Sequence, residues 1–216
     1  MKKFIFALIV MTLPMTIQAQ SEGLLARKSI KSANADLSTY AAKGAVPEVD
    51  GKIVFKADIL APGKTKEDLY QKVAQWASYR YSANSVRGNY TDNDFFKHLE
   101  YATVKSADKN SGRFQCQGAE ELIFSIKPLA KNYTQAFYLL DLVVSNGQVS
   151  FNLNSLSFNV DQGEGQFTRV AAEDWISDKE CINKKGELRR IPGKFRIKTI
   201  DLVEELKKEI SETVNQ

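Results

Sequence analysis

Histidine is almost missing from this sequence: His98 is the only one among 216 residues. A single imidazole excludes metal sites built on a pair of histidines. It leaves room for one Ser-His-Asp set, but the G-x-S-x-G turn that presents such a serine is absent. Asp92 and Asp94 lie close before His98. That group reads as a polar loop entering a strand in preference to a cation site. No glycine follows Asp94 and no glutamate closes the stretch, which rules out an EF-hand. The acidic pairs Glu120-Glu121 and Glu173-Asp174 are adjacent in sequence. Neighbours on a strand point to opposite faces, so such pairs do not make a glycosidase site. Gly163-Glu164-Gly165 lacks the strand–turn–helix setting of a nucleotide loop. These absences point to a chain with no catalytic residues, no cofactor and no metal.

Long apolar runs are also absent. The longest, Phe4 to Leu13, is too short to cross roughly 30 Å of hydrocarbon. It follows the basic start Met1-Lys2-Lys3 and is broken by Pro14, and small Ala19 stands before a polar stretch. That is the pattern of a secretory signal over residues 1–19, with Ala19 as the cleavage residue. The mature chain then carries no transmembrane segment. It is expected to be exported: periplasmic, outer-membrane-associated or secreted. Removing the signal takes two lysines from a formal charge of only +4. Phosphate binding rests on clustered positive charge, so a nucleic-acid partner is excluded.

What remains is an ordinary globular balance, 43% hydrophobic and 26% charged. Residues 20–48 are rich in Ala, Ser and Lys and poor in large apolar groups. They read as a flexible arm or a loosely docked one. Residues 49–216 read as a single domain. Residues 51–61 alternate like a strand that Pro62-Gly63 stops. Thr65 caps a helix, with Asp68 three positions on, and Leu69, Val73 and Trp76 form its buried stripe. Two short strands follow at 99–106 and 113–117, with a turn over 108–112 and Gly118 ending or bulging the second. Leu122 to Ile126 continues a strand before Pro128.

The clearest element is a hairpin, 136–145 against 148–160, across Asn146-Gly147. Asn-Gly favours a type I′ turn, in which both central residues take φ > 0. The register then sets Val144 against Val149, Leu142 against Phe151 and Leu140 against Leu153. The apolar phase flips at Asn154-Ser155, which predicts a β-bulge. Residues 161–195 read as a long irregular loop. A last helix covers 197–213, with Ile200, Val203, Leu206, Ile210 and Val214 as one stripe and Glu204–Lys208 as an exposed pair. The sum is an α+β domain: an antiparallel sheet of about five strands, with two helices on one face, in the order β-α-β-β-β-β-α.

The candidate site residues sit in and around the loop. Cys116 and Cys181 are the only cysteines. An oxidising compartment permits a disulfide between them, closing about 65 residues and stabilising by about 4 kcal/mol. Two free thiols, with Cys116 as a small core residue, are the other reading. Lys184, Lys185, Arg189, Arg190, Lys194, Arg196 and Lys198 form a basic run. It suits an anionic lipid or glycan, or is simply a solvated loop. Trp175 is either a partner contact, together with Arg189 and Arg190, or the plug that pins the loop to the sheet. The leading expectation is therefore a binding or structural module for a protein or another envelope component. The alternatives are a carrier of a small hydrophobic or glycan ligand between sheet and helices, and a hydrolase centred on His98. Spacing says nothing of the oligomeric state.

The segment IVFKADILAPGKTKEDLYQKVAQWA, with Asp108-Lys109, Gly112 and Gly118 later, resembles the domain of unknown function 4468 family. The likeness is a strand, a PG turn, a polar cap and a helix with a central aromatic residue. It covers about residues 50–145. The resemblance implies exported proteins of Bacteroidota with a TBP-like fold. It implies no activity, so no catalytic residue is carried over. A fold name that refers to shape implies no DNA binding.

Overall fold

The computed structural model of the protein describes residues 37–81, 102–127, 130–161 and 166–216. The expected signal with Ala19, residues 20–36 of the arm, Asp92, Asp94, His98 and Gly163–Gly165 lie outside the described residues.

The end of the expected arm is docked. A short helix, α1 (Ser38–Ala41), leads to a small hairpin of β1 (Glu48–Val49) and β2 (Lys52–Ile53). Asp50 and Gly51 join its strands with φ of 50° and 72°. This is the pair of left-handed residues that a type I′ turn requires. The single strand expected over 51–61 is thereby divided. Ile53 turns into the core with 1% exposure, and Val54 donates its N–H to the Pro47 carbonyl at 3.1 Å. The next strand, β3 (Phe55–Leu60), is the first of the main sheet.

Helix α2 (Lys66–Arg80) begins where the sequence places its cap: the Thr65 hydroxyl accepts from the Asp68 N–H at 3.2 Å. Its buried residues are Leu69, Tyr70, Val73, Trp76 and Ala77, which include the expected stripe. The strands β4 (Thr103–Asp108), β5 (Arg113–Lys127), β6 (Ala130–Ser145) and β7 (Gln148–Asp161) follow. Together they give the antiparallel order β3-β7-β6-β5-β4. Strand β5 does not end or bulge at Gly118, as its glycine suggests. Gly118 stays in register opposite Tyr138, and the irregularity comes later, between Ile123 and Ser125. The reason is packing: the Tyr138 ring lies where a Cβ on Gly118 would stand, 2.1 Å from its Cζ.

The β6–β7 register matches the sequence reading pair by pair, from Ser145–Gln148 to Leu140–Leu153. The shift falls between Phe137 and Leu139, where β7 carries one extra residue, and Ser155 there has φ 53°. The expected bulge is thus present, and Leu156 and Phe158 turn back into the core. The turn itself differs. Only Gly147 is left-handed, with φ 74°. Asn146 Oδ1 instead accepts from the Lys66 N–H at 2.7 Å, on the first turn of α2. The Gly147 backbone is bound on both sides, by Lys64 O and Ala61 N. Tertiary contacts replace the local preference for a type I′ turn.

The segment expected to be an irregular loop, 161–195, is structured over its described part. A sixth strand, β8 (Phe167–Ala171), pairs with β7 beyond the bulge. Helices α3 (Glu173–Ile176) and α4 (Asp178–Cys181) follow. The final helix, α5 (Pro192–Asn215), starts five residues before the expected 197, because Pro192 suits the first turn. Its buried stripe includes Thr199, Val203, Leu206, Ile210 and Val214, and Ile200 is only partly buried. Glu204 pairs with Lys207 at 2.6 Å rather than with Lys208, which reaches Glu212 at 3.7 Å.

Helices α2 and α5 cover one face of the sheet. Between them and the strands lie Leu69, Val73, Ala77, Phe114, Leu140, Leu142, Phe151, Leu206 and Ile210, all nearly inaccessible. This is the expected α+β architecture. The other face carries side chains that bond mainly to one another. Gln115 and Asn154 both donate to Asp141, at 2.9 and 2.8 Å, and Ser150 donates to Asp58 at 2.8 Å.

Candidate functional site

The chemistry-bearing residues gather in two places. The first is a lobe built by α3, α4 and the turn that leads into α5. The lobe forms because its small apolar residues have somewhere to go: Ala172, Ile176 and Cys181 are fully buried. An antiparallel bridge joins Ile182 to Leu188. Between them Asn183 Oδ1 accepts from the N–H groups of Lys185 (2.8 Å) and Glu187 (3.0 Å), and Gly186 takes φ 79°. An asparagine accepting from its own following backbone is the usual way a tight turn is fixed.

Arg196 clamps the lobe from inside. It lies on the buried face of α5 with 0% exposure. Its guanidinium donates to the carbonyls of Tyr40 (2.7 Å), Ile176 (2.9 Å) and Ala42 (3.1 Å), and pairs with Asp178 at 2.7 Å. Asp178 also accepts from the Gly44 N–H at 2.9 Å, and Glu173 from the Ile53 N–H at 3.0 Å. Tyr40 donates its hydroxyl to Asp201 at 2.8 Å. That bond, with Asp201's charge and partial burial, pushes the Tyr40 phenol up to about 12. One planar group thus ties the docked arm, both short helices and α5 together. The sequence places Arg196 in an exposed basic run. Its true role was signalled by its place beside Phe195 on a helix face that continues to Thr199, Leu202 and Leu206.

The rest of the basic run is outward-facing. Lys184, Lys185, Arg189, Arg190 and Lys194 are exposed. Between 184 and 194 only Glu187 opposes them, and its carboxylate accepts from Asn183 Nδ2 at 3.1 Å. Ile191 stands among these cations at 60% exposure. Of the lobe's other acids, Glu173 and Asp178 are turned inward as described, Glu180 pairs with Lys179 at 3.2 Å, and Asp174 is exposed. Trp175 is partly buried and packs against the core. Its ring meets Phe195 edge-on, with centroids 5.6 Å apart, in a cluster that Phe124 and Phe158 complete. Through Phe195 its ring links the lobe to aromatic residues of the sheet. Arg189 and Arg190 remain available as surface contacts.

The second place is a polar cluster at the C-terminal end of α2. Arg80 pairs with Glu120 at 2.6 Å and with Glu209 at 3.3 Å. Tyr138 donates to Glu120 at 3.0 Å, Tyr81 and Tyr138 share a hydrogen bond at 3.2 Å, and Trp76 donates its indole N–H to Glu209 at 3.2 Å. Burial opposes the charge on Arg80, but Glu120 and Glu209 outweigh it and hold the guanidinium well above its usual value. Burial first, then Glu120, raises Tyr138. The cluster joins α2, α5 and the sheet through the ion pairs of one shared arginine. Sequence reasoning missed it, because Glu120 reads as half of an adjacent acidic pair and Arg80 as a helix end.

The two cysteines are free and buried, so the disulfide left open by the sequence is not formed. Cys116 lies on β5 inside the main core, whereas Cys181 ends α4 within the lobe. Burial pushes the Cys116 thiol up to about 12 and the Cys181 thiol up to about 11. Among the described residues, no group of three His, Cys, Asp or Glu side chains is placed to hold a metal. No described helix is long and apolar enough to cross a membrane.

An antiparallel sheet with its long helices on one face defines an α+β domain of TBP-like architecture. Residues 55–159 match the model of the family described as "Domain of unknown function (DUF4468) with TBP-like fold". It is similar to a solved DUF4468 family protein from Bacteroides ovatus ATCC 8483. Identity is 26% and the TM-score 0.69, over 84% of this chain and 96% of the other. A TBP-like protein from Parabacteroides distasonis ATCC 8503 shares the fold at 17% identity and TM-score 0.62, over 79% of this chain and 97% of that one. The curated proteins hold no match to this chain.

Proposed function

We propose that the protein is a non-catalytic binding module of the cell envelope, which engages an anionic envelope component through the basic end of the lobe. The observation that carries this reading is the exposed group Lys184, Lys185, Arg189, Arg190 and Lys194 on a lobe held rigid by buried Arg196. A fixed cluster of one sign attracts partners of the other sign without ordering itself on binding. Export, which brings the chain to the envelope, is the reading of residues 1–19.

The carrier alternative gains nothing from the packing. Trp76 is 8% exposed and belongs to the buried core between sheet and helices. The hydrolase alternative rests on His98, which lies outside the described residues.

The test is capture from envelope extract with the wild type, Arg189→Ala/Arg190→Ala and Trp175→Ala. The arginine pair is expected to lose recovery of phosphate- or carboxylate-bearing material several-fold. Trp175→Ala is expected to lower stability while keeping that recovery, if assayed below its melting point. Equal recovery by wild type and the arginine variant would sink the reading.

A further inference from the structure

We infer that the anionic component is a lipid bilayer surface, and that Ile191 enters it while the surrounding cations meet its headgroups. The inference rests on the function proposed above and names its partner. What favours lipid over a polyanionic glycan is the position of Ile191. It is among the most exposed large apolar residues of the fold, at 60%, and it is flanked by Arg189, Arg190 and Lys194. A glycan offers charge to the arginines but little to an isoleucine. A bilayer offers both, because an apolar side chain at headgroup depth loses water while the cations stay at the anionic surface.

The geometry also fits a shallow contact. Ile191 directly precedes α5 and is held there by backbone bonds on each side: Arg189 N–H to Cys181 O at 2.8 Å, and Lys194 N–H to Ile191 O at 3.1 Å. The side chain is therefore presented by fixed backbone and not by a free loop. Trp175 and Phe195 belong to the aromatic cluster that anchors the lobe. Binding needs no rearrangement of the core. The contact is weak and reversible by nature, because it has one inserted side chain and a handful of cations. It orients the domain more than it anchors it.

The test uses the chain from Gln20 onward, which keeps every described residue and removes the apolar stretch Phe4–Leu13 that would itself enter lipid. Binding is read by flotation with vesicles of phosphatidylcholine alone and of phosphatidylcholine with about a third phosphatidylglycerol. In parallel, binding to soluble dextran sulfate is read by a retention assay. The expected result is flotation with the anionic vesicles only. Arg189→Ala/Arg190→Ala lowers the partition coefficient by about tenfold or more, in line with the contribution of each basic residue near a charged surface. Ile191→Ala lowers it several-fold and leaves dextran sulfate retention unchanged. Lys56→Ala, an exposed cation on the sheet, changes neither. Retention on dextran sulfate that depends on the arginines, without flotation, overturns the lipid inference and leaves the anionic-partner reading standing. Loss of both in the wild type overturns both. Flotation unaffected by Ile191→Ala overturns the insertion of that side chain.

Discussion

At the scale of single residues, two positions hold more than their neighbours suggest. Gly118 is one. In a strand interior a glycine usually costs stability, and it often marks a close approach of another group. Here the approaching group is the Tyr138 ring, which leaves a Cβ no room. Gly118→Ala is expected to destabilise by about 2 kcal/mol or more, as overpacked sites do. Tyr138→Leu in the same chain should recover part of that loss. Urea unfolding of both variants decides, and a neutral Gly118→Ala would refute the packing account. Arg196 is the other. Its removal leaves three backbone carbonyls and Asp178 without their donor inside the fold. Arg196→Met keeps the apolar stem and is expected to cost about 3 kcal/mol. It should also expose residues 37–46 to limited proteolysis before the domain unfolds. The sequence already showed both residues, but not their partners, which lie 20 positions away for Tyr138 and up to 156 for Tyr40.

Secondary-structure elements show where local signals are enough and where they fail. The cap at Thr65, the apolar stripe of α2 and the register of β6 with β7 were all legible. Each depends on spacing within a few residues of chain. The bulge at Asn154-Ser155 was legible for the same reason, since a phase flip in alternation has no other cheap solution. The turn type was not. Two dipeptides in this chain carry the type I′ signal, Asp50-Gly51 and Asn146-Gly147, and only the first has both residues left-handed. The second is drawn into a contact with α2, 80 residues distant, through Asn146 Oδ1 and Lys66 N–H. That acceptor replaces one that the first turn of a helix otherwise lacks. Asn146→Ala is therefore expected to cost about 1 kcal/mol, the usual loss for a helix cap. Asn146→Asp keeps the oxygen, adds favourable negative charge at the helix start and should be neutral or better. Equal losses for the two variants would show that turn propensity alone sets the cost. The segment 161–195 was misread for a related reason. Its strand and helices are four or five residues long and are held by Arg196 and by β7, so they carry little periodicity of their own.

For the whole molecule, the thiols and phenols decide how stability responds to alkali. The thiols of Cys116 and Cys181 ordinarily ionise near 9.0, and burial raises them to about 12 and about 11 in the fold. Tyr40 ordinarily ionises near 10.0 and is raised to about 12 by its bond to Asp201. The folded chain thus keeps protons that the unfolded chain releases. Stability rises with pH only where the unfolded state binds more protons, and here it binds fewer. The contribution of these groups is complete below 9.0, and it declines as the pH climbs from there toward about 12. The melting temperature is accordingly expected to fall steadily over that interval. Cys116→Ala should melt lower at neutral pH, because a core side chain is truncated, yet show a shallower alkaline slope. The same thiols set a second expectation. Native protein at mildly alkaline pH should resist iodoacetamide, and protein unfolded without reductant should take up label at both cysteines. Failure to label after unfolding would mean a bridge between Cys116 and Cys181 in the isolated protein. A bridge would also make the alkaline slope shallower, because neither sulfur could then ionise in either state and the phenols alone would remain. The two measurements must therefore agree: labelled thiols with the steeper fall in melting temperature, or no label with the shallower one.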